Sequence, residues 1–556
     1  MSFTEPPETP KLAPLDRRTL LKGGLLGAGL AGAPLAAQIP ERQQGFTHGV
    51  ASGEPGGDRV LLWTRYAGGQ ETSLTWQVLT ADANMRVVAE GPVTASPEND
   101  FCAKAWANGL EPGRWYHYRF VAPDGSMSDL GRTRTLPEGP TARWRMAVFS
   151  CSNIGFGWFN AYRHAAEANE FDCALHLGDY FYEYPQGSYP SQREFLDGRA
   201  TLDPASETVA LADYRARFAQ YRSDGDLQRL HQLYPMIAGW DDHESTNDSW
   251  EGGAQNHQPE TEGPWPVRKA AAMRAYREWM PVSDEPWAAY EVGDLATLFR
   301  LETRLTARSQ QFDYNSLLRG MASPEEGVAR LAAFRDGEYV DPSREVLGAA
   351  QQAWLAEGMK RSRRDGKIWQ VLVQQVLLGK AAAATSLTDN LPDGLPEYVL
   401  ERVRASALAS SAELPLNMDA WDGYPAARAR LYEAALAADA NLVCLAGDTH
   451  NAWAFDLAHG GEAVGVEFGG QSVTSPGFEN FLPQVAPGDI ANALVARNPE
   501  LQWMDSSRRG YMAVELTPGR STSEYRFLSS VREKGAGVVA THSISTLAGA
   551  RRLDIG

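Results

Sequence analysis

Cysteine is scarce in this chain: four in 556 residues, too few for a disulfide scaffold. Cys173 and Cys444 fall inside apolar, strand-like runs and read as buried thiols. Cys102 carries no signal, and only Cys151 stands at the exit of such a run. Positive charge is also short, with 52 Lys and Arg against 70 Asp and Glu and a formal net charge of -18. A chain without a basic face is not a general binder of nucleic acid or anionic membrane. An acidic chain can still take up phosphate where bound cations reverse the local field. Beyond the N-terminus no run is long and apolar enough to span a bilayer, and no internal repeat is visible. What is present is 43% hydrophobic residues and 16 Trp, ample for compact folding. The length exceeds what one core usually serves, so two domains are expected.

Residues 1–37 read as a targeting segment. Asp16-Arg17-Arg18-Thr19-Leu20-Leu21-Lys22 precedes a mildly apolar, Gly- and Ala-rich stretch from Gly23 to Ala37, too short and mild to span a bilayer. Paired arginines before such a stretch resemble a twin-arginine export signal, with cleavage expected after Ala36 or Ala37. Export in the folded state suits a protein that acquires metal before leaving the cytoplasm. The expected location is periplasmic or secreted, with the twin-arginine machinery as a partner.

From residue 46 to 137 short alternating strands, such as Leu74 to Leu79 and Trp115 to Phe120, are separated by Gly, Pro and Asp clusters. This argues an all-β sandwich of immunoglobulin or fibronectin type, a packing or presentation module without catalytic chemistry. From 143 to 530 strands alternate with helices, which argues an α/β domain. Helices are expected over Val267 to Trp279, Leu347 to Ser362 and Ala426 to Ala438, and a strand over Ile368 to Leu378. Long segments at about 185–233 and 380–425 are too long for turns and are expected to wall the site. Residues 531–556, rich in Ser, Gly and Ala, read as a tail, docked or disordered.

The chemistry lies just past four apolar runs: Ser150-Cys151-Ser152, Gly178-Asp179-Tyr180-Phe181-Tyr182, Trp240-Asp241-Asp242-His243-Glu244 and Gly447-Asp448-Thr449-His450. In an open α/β sheet ligands bind outside the carboxyl ends of the strands, so four such clusters can share one site. A carboxylate at Asp179 can bridge two cations, and a phenolate three residues on, at Tyr182, is a hard donor suited to Fe(III). Asp448 and His450 can face different metals. Asp242 can ligate the second metal, and His243 can stand beside a leaving oxygen as general acid or charge stabiliser. Asn247 offers a carbonyl oxygen of the kind calcium takes.

With Phe46 to Pro55, Leu61 to Arg65, Gln352-Ala353-Trp354-Leu355 and Trp421 to Pro425, these motifs resemble the PhoD-type alkaline phosphatases over roughly residues 46 to 530. The resemblance implies a secreted phosphatase or phosphodiesterase with a four-layered metallophosphoesterase domain holding one Fe(III) and calcium. By motif position Cys151, Asp179, Tyr182 and His450 resemble iron ligands; Asp179, Asp242, Asn247 and Asp448 resemble calcium-side ligands. Two departures stand out. Where the family usually has paired asparagines this chain has Asn247-Asp248, and Leu301-Glu302-Thr303-Arg304 carries Glu where the family has Asp. Arg304 can clamp a phosphate or pair with Glu302, and pairing is the slightly favoured expectation.

The expected reaction is hydrolysis of phosphate mono- or diesters by in-line attack of a metal-activated hydroxide, by a monomer that binds no nucleic acid as a stable partner. Three alternatives remain: a phospholipase D-like phosphodiesterase on the same scaffold, a metal-free hydrolase using Cys151 with His243, and a secreted binding protein with a dead metal site. The second leaves Asp179, Tyr182, Asp448 and His450 without a task.

Overall fold

A computed structural model describes residues 45–387 and 397–555. The segment read as a twin-arginine signal lies outside the described residues.

Two large sheets carry the site. The first has ten strands, in the order Leu553–Asp554, Val538–Leu547, Arg520–Leu528, Gly510–Leu516, Trp144–Phe149, Cys173–His176, Met236–Ala238, Gly45–Gly53, Arg59–Ala67 and Cys102–Asn108. The second has seven: Ala288–Val292, Ala296–Arg300, Trp369–Val373, Leu442–Ala446, Glu462–Gly469, Ala452–His459 and Leu501–Asp505. Their middles are parallel. Trp144–Phe149 pairs with Cys173–His176 and that strand with Met236–Ala238, while Ala296–Arg300, Trp369–Val373 and Leu442–Ala446 run alongside one another. Parallel strands covered on both faces read as unbroken apolar runs, which is why these were visible in the sequence.

One face of each sheet contributes to a shared core, with Met146, Val148, Leu175 and Ile237 from the first against Val371, Val373, Val443 and Leu445 from the second. The other face of the first sheet packs Phe149 and Ala238 with Tyr162, Phe218, Leu230 and Tyr276 from helices. The other face of the second packs Phe299, Leu372 and Cys444 with Leu355, Met359 and Leu431. Helices Trp265–Trp279, Gly348–Arg364 and Pro425–Ala437 follow the predicted spans within two residues. The predicted strand over Ile368 to Leu378 is shorter, Trp369–Val373. Beyond it the Gln374 and Gln375 side chains bond into the loops instead.

One expectation is corrected and two are made specific. The N-terminal block is divided between sheets: Val87–Ala95, Thr72–Thr80, Trp115–Val121 and Gly131–Arg134 form a four-stranded sheet, but three remaining strands extend the ten-stranded one. The join is the parallel register of Gly53 with Met236. Val50, Val60 and Leu62 still pack against Leu74, Val78 and Tyr118, so two sheets do face each other there, one of them continuous with the α/β domain. Residues 211–233 brace the site loops from the core side, Arg217 donating to the Tyr182 carbonyl and Tyr214 to that of Ser245. They form helices Leu211–Arg222 and Gly225–Leu233, the second capped by the Asp224 carboxylate, and their Phe218, Tyr221, Leu227 and Leu230 are core. Of the two alternatives for 531–556, the docked one holds: the segment supplies strand Val538–Leu547, paired along Arg520–Leu528, whose first six residues alternate half-buried and exposed before three buried ones.

Candidate metal centre

The site is assembled where strands of both sheets end. Phe149, His176 and Ala238 end strands of the first sheet and Ala446 ends one of the second; Cys151, Asp179, Asp242, Asp448 and His450 follow within a few residues. Cys151, Asp179, Asp448 and His450 all have left-handed backbone, with φ of 60°, 53°, 64° and 64°. Such conformations cost free energy outside glycine and gather at functional sites. Backbone bonds lace the loops together: Cys151 N–H donates to Gly178 O and Ser152 N–H to Asp179 O, at 3.1 and 2.8 Å. Gly178 has φ +108°, and a Cβ there would lie 2.3 Å from Asp241 Cβ, so only glycine lets the two loops touch. The Glu244 carboxylate accepts the N–H groups of Asp179, Tyr180 and Asp241.

Two donor sets result. In the first, Cys151 Sγ, a carboxylate oxygen of Asp179 and a ring nitrogen of His450 lie within 4.8 Å of one another. Tyr182 OH joins them, 3.0 Å from Asp179 Oδ2 and 3.1 Å from His450 Nε2. His450 Nδ1 is 2.8 Å from the Pro476 carbonyl. A carbonyl only accepts, so Nδ1 carries the proton and Nε2 presents its lone pair. Burial, the main cause, lowers the pKa of His450 to about 3, which keeps it neutral. The second set is oxygen alone: Asp241, Asp242 and Asp448, again within 4.8 Å.

These residues fit two cations. Asp179 Oδ1 and Asp241 Oδ2 are buried without a hydrogen-bond partner, an expensive state for a carboxylate. Burial, then the neighbouring Asp242, Asp241 and Glu244, push the Asp179 carboxyl well above its ordinary range against the pull of His243. Burial and Asp241 do the same to Asp448. A thiol, a phenol, an imidazole and shared carboxylates make one mixed set, and carboxylates alone make a harder one.

His243 sits between them. Its Nδ1 is 2.6 Å from Glu183 Oε2, and its ring lies 4.2 Å from that of Tyr182. Burial alone would lower its pKa, but Asp242, Glu183 and Asp179 outweigh it and hold His243 well above the usual range. A carboxylate oxygen of Asp179, one of Asp242 and a His243 ring nitrogen also lie within 4.8 Å.

Arg304 pairs differently from the expectation. Its guanidinium meets Asp241, Asp419 at 2.6 Å and Asp448 at 3.3 Å, and it is fully buried. Glu302 instead accepts the backbone N–H groups of Arg304, Leu305 and Thr306. The acids of the centre outbid it, and the guanidinium ties Asp241, Asp419 and Asp448 together. Asn247 donates its amide to Gln255 Oε1 at 3.0 Å. Its neighbour Asp248 is the residue whose pKa is raised, to about 7, by burial and then by Asp419 and Asp242. Sequence reasoning gave no role to Glu183, Asp241, Asp419 or Ser475, whose Oγ is 2.8 Å from Tyr182 OH. Asp241 stands inside one of the four strand-end motifs and Glu183 directly after another; nothing in the sequence marks the others.

The family profile described as "PhoD-like phosphatase" matches residues 146–525, and "PhoD-like phosphatase, N-terminal domain" matches residues 31–137. The chain is 32% identical over 563 residues to "Alkaline phosphatase D" of Bacillus subtilis (strain 168), covering 94% of this chain and 86% of that one. It is similar to a solved structure described as "Structure of PhoD", with TM-score 0.73, 29% identity and 93% of each chain covered.

Proposed function

This chain belongs to the PhoD-like phosphatase family and is a phosphoric ester hydrolase, and we propose that it is an exported, metal-dependent alkaline phosphatase acting on phosphate mono- or diesters. The observation that carries this reading is the meeting of two donor sets, where Asp179 of one and Asp242 of the other close on a charged His243. The helix, sheet, sheet, helix stacking is read as the four-layered metallophosphoesterase fold, with a sandwich-like N-terminal module.

Fe(III) is assigned to Cys151, Asp179, Tyr182 and His450, and calcium to Asp179, Asp242 and Asp448, with Asn247 offering its amide oxygen. Bound there, such cations supply charge neutralisation for the phosphate and acidify water. The protein's own residues do the rest. Cys151 is a ligand and not a nucleophile: burial and Asp179 push its thiol well up, so a cation is what makes it a thiolate. Arg304 balances the acids whose repulsion would otherwise spread the loops. His243 gives its proton to the departing alkoxide as the P–O bond breaks, and Glu183 steadies the imidazolium. Water adds to phosphorus, and alcohol and phosphate leave.

Twin-arginine export and a monomeric state belong to the same proposal; among the described residues no helix is long and apolar enough to cross a membrane. The decisive experiment pairs metal analysis with phosphate release from a panel of monoesters, diesters and phospholipids. The expected result is iron and calcium in the purified protein and chelator-sensitive turnover. Asp179→Asn should lose both metal and activity; metal-free protein that hydrolyses esters as well as the loaded form would refute the reading.

A further inference from the structure

Two tyrosines that no step above uses stand against the reacting groups. Tyr184 and Tyr189 follow Glu183 in the irregular stretch before helix Leu211–Arg222. Their ring centroids are 5.6 Å apart with planes at 66°, a wedge and not a stack. One side of the wedge meets the acid, with Tyr184 5.4 Å from the His243 ring. The other meets the metal-side phenol, with Tyr189 5.6 Å from Tyr182. Tyr182 and His243 are in ring contact themselves, so the four rings close a circuit beside the place where the ester bond must lie.

Both wedge tyrosines are half-buried. Tyr189 is braced from behind by Phe156, at 4.9 Å and 72°, and by the Asn153 amide on its carbonyl. Their surroundings separate them. Tyr189 flanks the sulfur-bearing donor set through Tyr182, and Tyr184 flanks the side of His243.

Phosphate asks for cations and hydrogen-bond donors and gains nothing from an aromatic wall. An aromatic wall suits the organic end of the substrate, because ring faces bury apolar area and favour edge or offset contacts with another ring. We propose that Tyr184 and Tyr189 form a leaving-group subsite that selects esters whose alcohol carries a flat apolar ring close to the scissile oxygen. The proposal rests on the phosphatase reading. The bond cleaved is the one from phosphorus to this alcohol, and the His243 proton goes to its oxygen.

Benzyl phosphate and ethyl phosphate both release alkoxides, so they make the same demand on His243 and differ in the ring. The expected result is kcat/KM about 10-fold or more in favour of benzyl phosphate. Tyr184→Leu and Tyr189→Leu should each cut that ratio severalfold, mainly through KM, whereas Tyr184→Phe and Tyr189→Phe should keep it. A parent ratio near one, or Leu variants that keep the parent's ratio, overturns the subsite. A second arm needs no turnover: calorimetric binding of benzylphosphonate and ethylphosphonate to the metal-loaded protein. Preference for benzylphosphonate that the Leu variants lose supports the subsite even if no ester is hydrolysed, a result that would count against the phosphatase reading alone. Hydrolysis without ring preference counts against the subsite alone.

Discussion

Glu183 Oε2 lies 2.6 Å from Nδ1 of His243, and both side chains are buried. The other Glu183 oxygen accepts from Thr246 Oγ1, Asn247 N–H and Asn256 Nδ2, so the carboxylate is fixed before it touches the imidazole. With Nδ1 bound to a carboxylate, the opposite nitrogen is the one that can face a leaving oxygen. Glu183→Gln should keep metal content and lower turnover of alkyl phosphates by roughly 10–100-fold, the usual cost of losing a partner that orients a working histidine. Unchanged turnover would show that Glu183 serves only the loop around Thr246.

His243→Ala tests the acid itself. Metal should remain, because both donor sets are complete without the imidazole. Turnover of alkyl phosphates should fall by roughly 10²–10⁴. The fall should be much smaller for aryl phosphates, whose leaving groups depart without a proton. Equal losses on the two substrates would make His243 a ligand or a charge stabiliser and not an acid.

The four strand-end motifs were legible because parallel strands buried on both faces leave unbroken apolar runs, and because polar residues follow directly at their ends. Pairing between distant segments leaves no such trace. Nothing near Gly53 announces Met236 as its neighbour, and so the N-terminal strands were read as a separate sandwich. Arg304 was misread for the same reason: Asp241 and Asp419 are far from it in sequence, whereas Glu302 was adjacent and looked like the partner. Glu183 directly follows the Gly178 to Tyr182 motif, yet its role depends on a histidine 60 residues away.

Tyr182 offers a spectroscopic test. Its hydroxyl touches Asp179, His450 and Ser475, while burial and then Asp179 and Cys151 push its pKa well up. Only a strongly acidifying cation would make it a phenolate. If Fe(III) sits there, concentrated protein should be coloured by phenolate-to-iron charge transfer, and Tyr182→Phe should remove that band. An iron-loaded protein without the band, or a Tyr182→Phe variant that keeps it, would move the iron away from Tyr182.

Away from the centre, Glu467 should make stability depend on pH. It is fully buried on strand Glu462–Gly469, accepting the N–H groups of Leu378 and Gly379 at 2.7 and 2.8 Å. Burial, only partly offset by those two donors, raises its pKa from 4.5 to about 7. Below about pH 4.5 the group is protonated folded or unfolded. Between about 4.5 and 7 the folded chain holds a proton that the unfolded chain has released, so stability falls as pH rises, by on the order of 3 kcal/mol across the window. Above about pH 7 the loss is complete. Glu467→Gln removes this titration while keeping size and an acceptor for one of the two N–H groups. Urea unfolding of metal-loaded parent and variant at pH 5 and pH 8 should show the parent losing ground to the variant on going up. A parent-to-variant difference that stays constant over that range would mean that Glu467 does not titrate there in the folded protein.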